Sequence, residues 1–225
     1  MITKYYSLIL VAAALAAFVT PLPRCLAQEK AKAIELFDGK SLEGWTAVSS
    51  VETTKPEDVW SVKDGILVCQ GKPSGYVRTK RDDFENYVLE LDWRFPAGSK
   101  GGNSGVLLHT STPKAIGVWP KSLEAQLAHM NAGDIWVIGE TCEIENSDKR
   151  VMGRRHYNLT DDSEKPIGEW NHYEVKCEGD TITLKVNGDL VNHATKCSTT
   201  KGAICLQSEG TEIHFRNIRL TPLVK

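Results

Sequence analysis

The segment Tyr-Val-Leu-Glu-Leu-Asp-Trp-Arg-Phe at residues 87–95 carries the clearest pattern in the chain. Positions 87, 89, 91, 93 and 95 are apolar, and positions 90, 92 and 94 between them are charged. Successive side chains of an extended strand point to opposite sides, so the segment predicts a β-strand with one packed face and one polar face.

The same alternation recurs later in the chain. It is found at residues 181–186 and around residues 213–215. Asp64-Gly65 and Asn187-Gly188 each stand between two short apolar runs, which is typical of two-residue hairpin turns. Further short strands are predicted at residues 105–109, 123–128, 135–138, 170–178 and 203–207.

The chain shows little sign of helix. No stretch of about 12 residues keeps a helical period, and turn residues interrupt the apolar runs throughout. We therefore predict an all-β fold, an antiparallel sandwich of two sheets, most simply a jelly roll. Segments 49–58, 110–122 and 146–166 are predicted loops, and the last is long enough to be a functional rim.

The amino-acid composition excludes some classes of function. The chain has 225 residues, 41% of them hydrophobic and 25% charged, with a formal net charge of −2. This balance indicates a globular protein and lacks the basic excess of a nucleic-acid-binding protein, so no nucleic-acid partner is expected. The pair Arg154-Arg155 is interpreted as ordinary surface.

Residues 1–27 read as a secretory signal peptide. Lys4 precedes an apolar run over residues 8–19, and Cys25-Leu26-Ala27 suits cleavage before Gln28. The run is shorter than the ~20 residues of a membrane-spanning helix, so no membrane span is expected. A lipoprotein acylated at Cys25 is the alternative. We expect residues 28–225 to form a single domain in the periplasm or outside the cell.

Five cysteines follow residue 27, at positions 69, 142, 177, 197 and 205. An exported chain meets an oxidising compartment, where an odd number leaves at least one cysteine unpaired, but the pairing cannot be read from sequence. Cys177 alternates with Tyr173 and Val175 and is interpreted as a small buried hydrophobe.

Sugar binding is the chemistry that a sandwich with these side chains favours. Sugars offer hydroxyl groups to polar side chains and apolar faces to aromatic rings, and Trp119, Trp136 and Trp170 lie in or beside predicted loops. A tryptophan in a jelly roll belongs to the core more often than to a sugar-binding surface.

Two strands carry the sharper polar motifs. Glu124 and Gln126 are expected on one face of their strand, where they suit sugar hydroxyls or proton transfer. On the strand after Gly102-Asn103-Ser104, we expect Gly105, Leu107 and His109 to share a face, with the glycine allowing close approach of a ligand.

Carboxylate pairs leave an ordinary glycosidase open as a further alternative. Glu90 with Asp92, and Glu143 with Glu145, each share a face at the spacing that a pair of catalytic carboxylates could use, although solvated charges explain such pairs as well. The sequence lacks a Gly-x-Ser-x-Gly elbow, a phosphate loop and a HExxH motif, and its histidines show no metal-ligand spacing.

A series of motifs resembles the bacterial 3-keto-disaccharide hydrolase domain family over nearly all of residues 28–225. In chain order the motifs lie at residues 36–45, 60–65, 84–94, 102–106, 124–127, 165–171, 187–188, 202–207 and 215–218. The resemblance implies a concanavalin A-like or laminin G-like jelly roll, export, and action on sugars already oxidised at C3.

The resemblance also implies a chemistry and its residues. A ketone at C3 acidifies the C2 proton, so a base can remove it and the C1 substituent leaves by elimination. Glu124 is the expected base and His109 the expected acid or enolate donor. The expected substrate-binding residues are Asn103, Gln126, Lys165, Asp134 and Arg94, with Trp119, Trp136 and Trp170 walling the groove.

The resemblance implies no organic cofactor, and it leaves open whether a divalent metal ion is required. The substrate would be an oligosaccharide or glycoside, and a separate sugar 3-dehydrogenase would have to supply its ketone. The main alternative to this enzyme is a non-catalytic carbohydrate-binding module.

Overall fold

The computed structural model describes residues 31–224 together with Met1. The strands in this part of the chain are β1 Ile34–Glu35, β2 Trp45–Ser49, β3 Trp60–Lys63, β4 Ile66–Cys69, β5 Gly75–Thr79, β6 Tyr87–Arg94, β7 Gly105–Thr110, β8 Ser122–Gln126, β9 Ile135–Ile138, β10 Glu143–Ile144, β11 Val151–Met152, β12 Arg155–His156, β13 Asn171–Glu178, β14 Thr181–Val186, β15 Asp189–Thr195, β16 Ala203–Ser208 and β17 Ile213–Pro222. Two one-turn helices, α1 Pro56–Val59 and α2 Ser147–Arg150, interrupt them.

The strands form two antiparallel sheets. The first, here called the β6 sheet, has the order β10-β15-β14-β13-β6-β17-β4-β3, with β1 added on β17. The second, the β8 sheet, has the order β11-β12-β9-β8-β7-β16-β5-β2. Strands distant in sequence lie side by side, with β17 between β4 and β6 and β16 between β5 and β7. The predicted all-β jelly-roll sandwich is confirmed.

The core lies between the two sheets, and β6 shows why. Tyr87, Leu89, Leu91 and Trp93 are fully buried in it, while the residues between them are partly exposed. Facing side chains come from the β8 sheet, including Leu123 on β8. Each large apolar side chain buried in this way stabilises the fold by about 1.5–3 kcal/mol.

Both predicted hairpin turns are present. Asp64-Gly65 joins β3 to β4 and Asn187-Gly188 joins β14 to β15, and all four residues have positive φ angles between 51° and 97°. A two-residue turn of this kind needs positive φ at both positions, which asparagine, aspartate and glycine tolerate best. Cys177 is buried in the core beside Tyr173 and Val175, as predicted.

Three features differ from the predictions. Strands β1, β2, β5 and β10 were not predicted, and the helices α1 and α2 lie where loops were expected. The predicted loop at residues 146–166 contains α2, β11 and β12, and β12 pairs with β9 to extend the β8 sheet. Short strands of this kind carry too few residues to show a period, so pairing with a neighbour decides their conformation.

The proposed signal peptide, including Cys25, lies outside the described residues apart from Met1. Over the part of the chain that is described, no helix has the length and apolar character needed to cross a membrane.

Candidate functional site

The outward face of the β8 sheet brings two polar side chains together above a glycine. Strand β7 lies between β8 and β16, and Gly105 on β7 has Glu124 on one side and Gln207 on the other. A Cβ atom on Gly105 would overlap the Glu124 carboxyl and lie 2.6 Å from the Gln207 Oε1 atom. The absence of a side chain at this position therefore makes room for the two to converge.

The strand pattern fixes the direction of both side chains. Leu123 and Ala125 on β8 belong to the core, as does Leu206 on β16. Glu124 and Gln207 alternate with these residues and consequently point away from the core.

Glu124 is enclosed even though it faces outward. It is 6% exposed, and among the described residues neither its Oε1 atom nor the Gln207 Oε1 atom has a hydrogen-bond partner. Buried oxygen atoms normally have a donor, so this site has unused capacity to accept hydrogen bonds. Hydroxyl groups of a sugar are suitable donors.

The surroundings of Glu124 favour its neutral form. Burial raises the pKa of this carboxyl to about 8, and the negative charge of Glu209 acts in the same direction. The Gln207 amide and the positive charge of Arg154 oppose the shift. A carboxyl with such a pKa holds a proton at pH 7 and, once ionised, is a stronger base than an exposed carboxylate.

Four more side chains complete the arrangement. Asn103 forms backbone bridges to Glu209 and Gly210, and its Oδ1 atom is buried without a hydrogen-bond partner among the described residues. Burial raises the pKa of Glu209, against the effects of Arg154 and Asn103. The Arg154 guanidinium lies 5.4 Å from the centre of the Trp136 ring. We call this set the Glu124 cluster, which consists of Asn103, Glu124, Trp136, Arg154, Gln207 and Glu209.

Of the residues singled out from the sequence, Glu124, Asn103 and Trp136 lie in this cluster. Trp119 lies on the same outward sheet face, where it packs against a small apolar group that includes Tyr76 and Leu107. Leu107 pairs with Glu124 across β7 and β8, so the apolar group borders the cluster.

Two other predicted residues have local structural partners. The Gln126 Oε1 atom accepts hydrogen bonds from the backbone of Leu127 and Ala128, at 2.9 and 3.0 Å, and so shapes the turn after β8. Asp134 is 1% exposed, with its Oδ2 atom 2.6 Å from the Arg155 Nε atom. These bonds occupy the groups that were expected to hold substrate.

The structure does not bring Lys165, Trp170 and Arg94 to Glu124. Arg94 alternates with the buried Trp93 on β6 and therefore lies on the outward face of the other sheet. The guanidinium carbons of Arg94 and Arg216 are 4.5 and 4.1 Å from the Trp170 ring centre, and the Lys165 Nζ atom donates to the Trp170 carbonyl at 3.1 Å. These residues form a separate stacked group on the β6 sheet.

The expectation that His109 shares a face with Gly105 and Leu107 is wrong. The pairing of β7 with β16 is irregular here, and His109 has a φ of 52°. Its ring packs edge-on against Tyr87 in the core, 5.5 Å between centroids, and is 1% exposed. Burial lowers the pKa of His109 to about 4, so the ring is neutral at pH 7. The ring faces the core, whereas an acid or enolate donor would have to face the Glu124 cluster.

Sequence reasoning missed three members of the cluster. Gln207 could have been found, because it alternates with core residues on a strand that was predicted. Arg154 was interpreted as surface because Arg154-Arg155 is only a short basic cluster. Glu209 lies just after β16 in a β-bridge to Asn103, outside the strand that the alternation predicted.

The alternative carboxylate pairs have other partners. Glu90 accepts two hydrogen bonds from Arg219, at 3.0 and 2.9 Å, which lower the pKa of this carboxyl. Asp92 contacts Arg216 at 3.1 Å, and Glu143 is exposed. In residues 31–224, no three His, Cys, Asp or Glu side chains are grouped so that they could hold a metal ion.

Comparison with known proteins gives one family and a set of similar folds. The sequence model of one protein family, the 3-keto-alpha-glucoside-1,2-lyase-like domain, matches residues 32–221. A candidate glycosyl hydrolase from Parabacteroides distasonis is 28% identical, with a TM-score of 0.61 over 85% of this chain and 100% of that one. A second candidate glycosyl hydrolase from the same organism is 21% identical, with a TM-score of 0.62 over 85% of this chain and 94% of that one.

A carbohydrate-binding module of Bacillus subtilis, CBM66, has the same fold at 14% identity, with a TM-score of 0.55 over 79% of this chain and 95% of the module. Among curated proteins, none matches the chain.

Proposed function

Because the chain belongs to the 3-keto-alpha-glucoside-1,2-lyase-like family, we propose that it cleaves the glycosidic bond of 3-keto-glycosides by removing the C2 proton and eliminating the C1 substituent. A carbohydrate-active function has the support of the family and of the glycosyl hydrolase-like structures. The observation that carries the finer proposal is Glu124, a buried carboxyl with a raised pKa and an unpartnered oxygen beside Gly105.

In the proposed reaction Glu124 acts as the base. Its carboxylate takes the C2 proton of the sugar, and the electron pair of the C–H bond forms an enolate with the C3 ketone. Proton abstraction next to a carbonyl suits a carboxylate whose pKa lies near or above neutrality, since proton transfer becomes more favourable as the base strengthens.

Arg154 is the proposed partner of the enolate oxygen. Its charge already acts on both Glu124 and Glu209, so it lies within electrostatic reach of the reacting groups. A positive charge beside developing negative charge in an enclosed site lowers the barrier more than it would in water. Gln207 and Asn103 would hold hydroxyl groups of the sugar.

Glu209 is the proposed acid. Burial raises the pKa of Glu209, which favours the protonated form that a general acid requires. When the enolate collapses, the C3 carbonyl re-forms, a C1–C2 double bond forms, and the C1–O bond breaks. The leaving oxygen takes the Glu209 proton. Addition of water to the double bond would complete a hydrolysis, and release without it would make the protein a lyase.

The proposal implies a partner and a location. Only a sugar oxidised at C3 has an acidic C2 proton, so a separate sugar 3-dehydrogenase must supply the substrate. We propose that the protein acts in the periplasm or outside the cell, because residues 1–27 have the pattern of a signal peptide.

The test is product formation from a 3-keto-disaccharide and from its unoxidised parent, each with and without an added divalent metal ion. We expect cleavage of the keto sugar alone. Glu124→Gln should lower kcat about a thousandfold, within the usual range for loss of a general base. Glu90→Gln, a matched change on the other sheet, should retain the parent rate. Cleavage of the unoxidised sugar would instead indicate an ordinary glycosidase.

A carbohydrate-binding module is the second candidate. The observation that favours it is Trp136, a partly exposed ring beside the unpartnered oxygens of the Glu124 cluster. Sugar rings stack on such aromatic side chains. This candidate predicts calorimetric binding of unoxidised glycans with no product, and binding that is lost in Trp136→Ala.

A further inference from the structure

Two cysteines distant in sequence meet where β10 joins the edge of the β6 sheet. Strand β10 pairs with β15, Glu143 opposite Thr195. Just beyond this pair, Thr141 and Ser198 exchange two hydrogen bonds, from the Thr141 amide to the Ser198 hydroxyl at 2.8 Å and from the Ser198 amide to the Thr141 carbonyl at 2.9 Å. The connection thus fixes Cys142 and Cys197, which lie within it, on adjacent backbones.

The two thiols are neighbours, and a histidine lies near them. The Cys197 side chain and, more weakly, the His156 imidazole on β12 of the other sheet are the neighbours that act on the Cys142 thiol. Cys197 and His156 lower the pKa of Cys142 to about 6, although burial acts against them. Cys142 is partly exposed, whereas Cys197 is buried.

We propose that Cys142 and Cys197 form a disulfide bond in the native protein. The pairing follows from the register of β10 with β15 and from the paired hydrogen bonds of Thr141 and Ser198, which place the two cysteines on adjacent backbones. This proposal is independent of the reaction proposed for the Glu124 cluster.

The bond can form by exchange with an external disulfide, either a small-molecule disulfide or that of an oxidising enzyme. The Cys142 thiolate attacks one sulfur of the external disulfide, and the other sulfur leaves as a thiolate. The Cys197 sulfur then attacks Cys142 in the mixed disulfide, loses its proton and releases the second external thiolate. The two cysteines are oxidised by two electrons, and the external disulfide is reduced by the same two.

The remaining three cysteines are unsuited to the first step of this exchange, the attack on an external disulfide that Cys142 carries out. Burial raises the pKa of Cys69 to about 11 and that of Cys177 and Cys205 to about 12. A buried thiol with a raised pKa has little thiolate at neutral pH and is slow to react. The odd number of cysteines after residue 27 is then explained by one bonded pair and three core thiols.

The bond would anchor the segment between β9 and β12. This segment starts after Ile138, pairs with β15 through β10 and returns to the β8 sheet at β12, just after Arg154. A cross-link at Cys142 would fix it to the β6 sheet, so the disulfide would hold the part of the chain that carries Arg154.

The test is disulfide mapping of the purified full chain, folded and incubated with oxidised or with reduced glutathione. Trypsin cleavage at lysine and arginine places Cys142 in peptide 122–149, Cys197 in peptide 197–201 and Cys177 in peptide 177–185. We expect peptides 122–149 and 197–201 to be linked after oxidation, with the loss of two hydrogen atoms, and separate after reduction. A link between 177–185 and 197–201, or no link after oxidation, would overturn the proposal.

Thermal unfolding of variants gives a second readout. A bond that closes a loop of about 55 residues should raise the Tm of the oxidised protein by about 5 °C or more over the reduced one. Cys142→Ser and Cys197→Ser should each abolish this difference, while Cys177→Ala should keep it. A difference that persists in Cys142→Ser would contradict the assignment.

Discussion

Glu124, the proposed base, also weakens the fold. Its carboxyl is nearly inaccessible to water, and it has Glu209 rather than a basic side chain as its strongest charged neighbour. Burial of an ionised carboxyl without a close counter-ion opposes folding. Residues at active sites often combine a perturbed pKa with such a cost.

The raised pKa of Glu124 predicts a pH-dependent stability. The folded protein holds this proton up to about pH 8, whereas the unfolded chain releases it near the ordinary pKa of 4.5. Glu124 therefore destabilises the fold increasingly as the pH rises from 4.5 to about 8. We expect Glu124→Gln to raise the Tm by several degrees at pH 9 and to change it little at pH 4, as measured by calorimetry. An equal effect at both pH values would show that the carboxyl is not buried in this way.

At the scale of the element, β7 opens the space that the cluster occupies. Gly105→Ala should lower kcat at least about tenfold, because the new methyl group would displace the Glu124 carboxyl and the Gln207 amide. Gly44→Ala is the matched control, since its methyl group would meet only the Leu36 carbonyl, 4.0 Å away. Steady-state kinetics on a 3-keto-disaccharide would measure both, and equal rates would mean that the site tolerates a side chain at β7.

The segment between β9 and β12 brings a positive charge to the β8 sheet. Because the charge of Arg154 lowers the pKa of Glu124, Arg154→Gln should raise that pKa further. The rising limb of the rate against pH should then move to higher pH, with kcat/KM reduced at pH 7. Lys149→Gln, which removes an exposed charge from α2 in the same segment, should leave the limb in place. A pH profile unchanged in Arg154→Gln would show that the charge of Arg154 does not act on Glu124.

The sequence predicted a strand or a turn correctly where a short local pattern determines its conformation. The alternation of residues 87–95 predicted β6, and two turn motifs predicted both hairpins. It failed at His109, because an irregular register moves a side chain to the other face without any change in residue type. The pairing of Gln207 with Glu124 also depends on β16 lying beside β7, a contact between strands about 100 residues apart.

At the scale of the whole molecule, the two sheets present different outward faces. The β8 sheet carries the Glu124 cluster, and the β6 sheet carries ion pairs and the stack of Arg94, Trp170 and Arg216. The aromatic residues expected to wall one groove are thus divided between two faces.

This division predicts that the tryptophans differ in function. Trp136→Ala should raise KM for a 3-keto-disaccharide about tenfold or more, as expected when one stacking contact is lost. Trp170→Ala should change KM by less and should lower the Tm, because two arginine side chains lose their stacking partner. Kinetics and thermal unfolding of both variants would measure the contrast, and a larger rise in KM for Trp170→Ala would assign the substrate to the β6 sheet.

The strand order has a consequence for behaviour at high concentration. In the described part of the chain, both sheets end in short strands, four residues in β3, five in β2, and two each in β10 and β11. A sheet margin recruits a strand from another molecule through its free amide and carbonyl groups, and short margins offer few of them. The sandwich thus has a built-in resistance to fibre formation by edge-to-edge addition.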